Sequence, residues 1–197
     1  MNREERIKAV LNGEEPDRIP VSVWMHFSED DQDPRSLAET MVAFNEKYDY
    51  DFIKMMPAGF YTTPDWGARV KIYCDRNREA VITAPAISAL EDYKKVDELP
   101  AVYGNWGKTL QITQHVSRLI RPDTPYLQTL FSPLTTLRKM TSSRLLTDML
   151  EHSGEVHQAL ASITATNINF VKANIEAGVS GFFFATQCAT WGERVKA

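Results

Sequence analysis

Apolar positions along the chain come in two spacings, and their alternation lays out the elements. Residues 3–12 carry Ile7, Val10 and Leu11 on one helical stripe, stopped by Gly13. GEEPDRIPV follows, where Pro16 and Pro20 exclude a regular element and leave an extended lead-in. PVSVWM (20–25) is a β-branched, apolar run, read as a buried strand that ends at His26. A polar loop leads to a helix over 35–48, and DFIKMM (51–56) is a second short strand, ended by Pro57-Ala58-Gly59. Two alternating runs, ARVKIYCD (68–75) and EAVITAPAI (79–87), predict a β-hairpin inserted off the main pattern.

The polar stretch 91–100 breaks at Pro100, and a helix over 106–120 keeps Leu110, Thr113, Val116 and Ile120 near one stripe. PYLQTLFS (125–132) is a third core strand. Pro133 suits the first turn of the next helix, where a missing N–H sacrifices no hydrogen bond. A helix over 142–151 follows. Ser153 is read as the cap of a long helix over 154–177, with Val156, Leu160, Ile163, Phe170, Val171 and Ile175 inward and Gly178 as its stop. GFFFATQ (181–187) is the last strand.

Strands without strict alternation are buried on both faces, which points to a parallel sheet covered by helices and so to the α/β class. No GxGxxG or GxxxxGK[ST] follows a strand, so an open nucleotide-binding sheet lacks its signature. The alternative is a TIM (β/α)8 barrel, which takes about 250 residues when complete. Four core strands and a hairpin in 197 residues match the N-terminal portion of one, a single partial barrel domain over 1–197. Such a portion leaves strand edges open.

Composition narrows the partners. A chain that is 43% hydrophobic and 24% charged can bury a core. Its net charge of −4, with no basic face, argues against nucleic acid. No apolar run approaches the roughly 20 residues of a membrane span, and MNREERIKAVLNG lacks the apolar stretch of a signal peptide. Cys74 and Cys188 form neither a disulfide framework nor a CxxC zinc pattern, so a reduced, cytoplasmic setting is expected. The acidic run Glu29–Asp33 reads as a solvated loop before a cation site.

In a TIM barrel the chemistry gathers at the C-terminal ends of the strands. His26, closing the first strand, is suited to proton transfer near neutral pH; otherwise it is a polar strand end. Gln187 ends an apolar strand, where a buried amide must find partners that a ligand could supply. These two are the candidate catalytic residues. Trp24, Phe60, Tyr61, Ser132 and Cys188 are the candidate ligand contacts. Core packing competes for the aromatics, helix capping for Ser132, and a small buried hydrophobe for Cys188. A metal site is not expected among these residues.

The ordered stretches REERIKAVLNGEEPDRIPV, DFIKMMPAGF, LQTLFSPLTTLRKM and IEAGVSGFFFATQCATWG resemble the uroporphyrinogen decarboxylase superfamily over nearly the whole chain. The resemblance implies a TIM barrel whose C-terminal part lies beyond this sequence. It implies one of two chemistries. The first is cofactor-free decarboxylation of a tetrapyrrole or related small-molecule ligand. The alternative is zinc-dependent methyl transfer with a corrinoid protein as partner, the zinc ligands lying outside this chain. A non-catalytic ligand-binding homologue is a third reading, and a homodimer is compatible with all three. The sequence departs from the decarboxylase pattern. MHFSEDD stands where an arginine-rich loop would clamp carboxylates, with His26 at the first arginine. Ala58 stands where an aspartate would grip pyrrole N–H groups, and Lys139 where a tyrosine would follow.

Overall fold

The computed structural model describes residues 1–187 except Arg76 and Glu79. In chain order the elements are α1 (Arg3–Leu11), α2 (Pro34–Tyr48), β1 (Ile53–Lys54), β2 (Arg69–Lys71), β3 (Val81–Ala84), α3 (Gly104–Leu119), β4 (Tyr126–Phe131), α4 (Pro133–Thr141), α5 (Leu145–Glu151), α6 (Ser153–Glu176) and β5 (Gly181–Ala185). Local chemistry explains the boundaries. The Asn2 side chain accepts from the Glu5 N–H, while Glu5 accepts from the Asn2 N–H, a reciprocal cap for α1. Asp33 caps α2 through the Ser36 N–H, with Pro34 in the first turn. Beyond α6, Gly178 takes φ +94°, its N–H donates to Ile175 O and the Val179 N–H donates to Asn174 O. That pair of bonds closes the helix and turns the chain into β5.

Three strands pair in parallel in the order β1-β4-β5, and β2 and β3 form the expected antiparallel hairpin. The sheet buries one face against helices. Ile53 and Met55 pack with Tyr126 on Leu37, Met41 and Val42 of α2 and Ile112 and Val116 of α3. Leu130 joins Trp106, Leu110 and Phe170 of α3 and α6, with Phe182 against them. Gln128 faces the same way, donating to Thr113 Oγ1. Side chains alternate along a strand, and Lys54 pairs with Leu127 and Thr129 with Phe183. Those four residues therefore occupy the opposite face. This is an α/β fold with a parallel sheet, as the run pattern predicts.

Three expectations need correction. PVSVWM is no strand: it carries no regular structure, and Val21, Val23, Trp24 and Met25 are exposed. Side chains take the places a ladder would fill. The Val21 N–H donates to the Asp51 carboxylate and the Ser22 hydroxyl to Phe52 O, and the Asp51 N–H donates to Val21 O between the backbones. Ser153 lies inside α6 rather than capping it, and His152 precedes it without a side-chain cap. The last strand ends at Ala185, short of Gln187.

A buried polar cluster ties α1 and the lead-in to the N-terminal end of the sheet. Asp51 is fully shielded and accepts from Arg6 (2.6 Å), from both terminal nitrogens of Arg18 (2.6 and 2.9 Å) and from the Val21 N–H (2.7 Å). Arg6 also holds Asp17, and Arg3 reaches Thr124 and Asp49. Burial opposes ionisation of Asp51, but the donors outweigh it and hold its carboxyl below the usual range. Asp51→Ala should cost about 3 kcal/mol in urea unfolding, since it strands buried guanidinium. Because its folded pKa lies below the unfolded one, the stabilisation from Asp51 is complete above about pH 4 and fades as pH falls through the folded value. Asp51→Asn should therefore show a shallower acid loss than wild type in the same titration.

Candidate active site

The loops that follow β1 and β4 meet at the C-terminal end of the sheet. Ser132 fixes the start of α4: its hydroxyl accepts from the Thr135 N–H (3.2 Å) and donates to Thr135 Oγ1 (2.9 Å). Thr135 Oγ1 in turn accepts from the Gln187 N–H (3.1 Å), clasping the chain after β5 to the first turn of α4. One turn on, Lys139 donates to Gly59 O (2.8 Å), so α4 also holds the loop after β1. The same ammonium lies 3.4 Å from the Phe131 ring centroid and 5.4 Å from that of Phe60.

These contacts border an open cavity of about 610 Å³, walled by Phe60, Thr135, Arg138, Lys139 and Gln187 and by Ile82, Thr83 and Pro85 of the hairpin. The size suits a small organic ligand. Two cations and an aromatic ring on its wall suit an anionic, flat one. His26 flanks this region: its Cε1 is 3.9 Å from where a Cβ on Gly59 would stand. The Asp31 carboxyl nearby is pushed up by burial, against which the Gln32 amide and the neighbouring His26 act.

The predicted residues divide. His26 and Phe60 lie at this end, His26 exposed and beside Gly59, Phe60 on the cavity wall. Gln187 is on the wall too, but exposed rather than a buried amide, so it needs no ligand for satisfaction. Ser132 is spent on capping, and Thr135 beside it is buried, its hydroxyl engaged by Ser132 and the Gln187 N–H at the edge of the cavity. Tyr61 is not a free ligand contact. It is 4% exposed, donates to Thr129 O and packs on Trp106, Phe131 and Phe170, touching only a space of about 50 Å³. Burial drives its phenol pKa far up, so it stays neutral. Trp24 lies away from this wall, with its ring under the Lys54 ammonium. Cys188 lies outside the described residues. Among the described residues, no three His, Cys, Asp or Glu side chains gather to hold a metal, and no helix is long and apolar enough to cross a membrane.

Sequence reading did not assemble Thr135, Arg138 and Lys139 with the hairpin, because the approach of residues 82–85 to α4 is a tertiary contact with no local signal. One trace was legible: Ala58 and Lys139, two of the departures from the decarboxylase pattern, fall together at the Gly59 clasp.

Fold and site together define a parallel β/α protein with a small-molecule cavity at the strand ends. The chain belongs to the uroporphyrinogen decarboxylase (URO-D) family, whose model matches residues 2–196. No curated protein sequence matches it. Among solved structures, it is similar to a methyltransferase from Methanosarcina mazei, with a TM-score of 0.77 and 20% identity over 96% of this chain. The chain spans 60% of the length of that protein.

Tyr61→Phe separates packing from ligand contact. It should cost about 1 kcal/mol in denaturant unfolding through the lost bond to Thr129 O, while ligand affinity of the folded protein stays at the wild-type value.

Proposed function

We propose that this protein is a uroporphyrinogen decarboxylase-like enzyme, the sheet being part of a TIM barrel whose mouth is the cavity at the strand ends. Its substrate is a flat carboxylate-bearing ligand, a tetrapyrrole or a smaller relative. The observation that carries this reading is the placement of Arg138 and Lys139 beside Phe60 on that wall, next to His26. The cations attract carboxylate groups into the cavity and the ring lies along the ligand's flat body. Lys139 also occupies the place where the resemblance puts a tyrosine. The site therefore grips carboxylates from α4 rather than from an arginine loop after the first segment.

Decarboxylation of an arylacetate arm on an electron-rich ring needs two protons. The first goes to a ring carbon. The electrons of the bond to the departing CO2 then flow into the ring, the second proton goes to the exocyclic methylene left behind, and the ring carbon gives back the first proton, so that one proton is consumed overall. In this reading His26 delivers such protons, as an imidazole can, and Gln187 orients the ligand. His26→Ala should lower the rate of CO2 release by about 100-fold or more; an unchanged rate would remove His26 from the reaction.

A second reading, methyl transfer with zinc and a corrinoid partner protein, draws on the description of the Methanosarcina mazei structure. The described residues do not supply a zinc donor set. Tightly bound stoichiometric zinc, together with methylation of a thiol by a methylated corrinoid protein, would favour that reading over decarboxylation. Saturable carboxylate binding without either turnover would favour a non-catalytic homologue.

A further inference from the structure

The loop after β1 borders two cavities. One is the ligand cavity of about 610 Å³ on the α4 wall. The other, of about 50 Å³, is bounded by the start of α2, by α3 and by the hairpin. Among the described residues, Phe60 alone lines both. The hairpin is divided between them: Val70, Ile72 and Ala80 line the small cavity, and Ile82, Thr83 and Pro85 the large one. Phe60 is half-buried, with its ring centroid 5.4 Å from the Lys139 ammonium. The small cavity is mainly apolar, walled by Pro57, Ala58, Val70, Ile72, Ala80 and Ile112. Its polar neighbours are largely engaged elsewhere. The Asn105 amide donates to Asp65, the Thr109 hydroxyl to Asn105 O and the Gln32 amide to Asp31, while Lys108 is exposed to solvent. Water there finds few partners, and at roughly 10–15 Å³ for each water-sized group the space takes about four of them.

We propose that Phe60 is the residue that sets the size of the acid this protein accepts, by standing between the ligand cavity and an apolar side pocket behind it. With its carboxylate at Arg138 and Lys139, a flat ligand lies against the Phe60 ring. A substituent directed at the β1 loop then meets that ring instead of the space beyond. The native substrate is accordingly a carboxylate whose flat body bears no alkyl arm on that side. A smaller side chain at position 60 joins the two cavities and admits an arm of about three carbons. The arm is alkyl, because a hydroxyl or charge placed among those walls would lose water without gaining partners. The inference rests on the carboxylate reading of the large cavity and deepens it by naming what limits the substrate class.

The test is calorimetric titration with benzoate and with 3- and 4-propylbenzoate, taking the tighter propyl isomer. Wild type should hold the propyl compound no more than about threefold tighter than benzoate. Each methylene moved from water into an apolar pocket is worth about fourfold in affinity, so Phe60→Ala should prefer the propyl compound by at least about tenfold. Phe60→Leu, a milder truncation, should show a smaller gain of the same sign. Filling the side pocket from the hairpin, by Ala80→Leu or Ile72→Phe in the Phe60→Ala background, should return the preference to the wild-type value and leave benzoate binding unchanged. A Phe60→Ala protein that prefers the propyl arm no more than wild type does, or a gain that survives both filling substitutions, overturns the proposal. Benzamide and 4-propylbenzamide pose the same question without the charge. A propyl preference gained and cancelled in the amides, with no binding of any benzoate, would keep the Phe60 wall and overturn the carboxylate reading alone; binding of none of the five compounds overturns both.

Discussion

The shielded carboxylate of Asp51 sets the geometry on which everything downstream depends. It gathers Arg6 from α1, Arg18 from the lead-in and the Val21 N–H at one point. This fastens the segment before His26 along β1, where no ladder would hold it. Slack there would move His26 from Gly59 and Trp24 from Lys54 together, since both follow Val21 within five residues. A polar cluster at one end of the sheet thus positions side chains used at the other. Removing water from it makes the donors directional.

The same one-sidedness organises the site. Helices cover the face that carries Ile53, Met55, Tyr126 and Gln128, and the alternation of strand side chains then dedicates Lys54 and Phe183 to the other face. At the C-terminal ends, where no further strand residue follows, α4 takes over. Thr135 binds the chain after β5 and Lys139 the loop after β1, so one short helix spaces the two walls of the cavity.

Much of this was legible in the sequence. The helices over 35–48, 106–120 and 154–177, the hairpin and the parallel strands at 51–56 and 125–132 all follow from apolar spacing and from Pro and Gly. What failed has a physical cause. PVSVWM carries the composition of a buried strand, but Asp51 and Ser22 replace its ladder with side-chain bonds, which spacing cannot disclose. Tyr61 and Phe60 are neighbours of like chemistry, and the Thr129 carbonyl with the rings of Trp106, Phe131 and Phe170 draws one into the core and leaves the other at the cavity. Arg138 and Lys139 look like solvated helix charges until the hairpin is placed against them. Lys54 was readable in outline, as the single basic residue in DFIKMM, but its aromatic neighbours come from segments far apart in sequence.

The Gly59 clasp has an evolutionary corollary. Lys139 is held to this loop by a backbone carbonyl, an acceptor that any residue type would present. The side chains at positions 58 and 60 can therefore drift without loosening α4. The cavity wall is then open to change by substitution at the loop tip, whereas the ion-paired end of the sheet tolerates little change without stranding a buried charge.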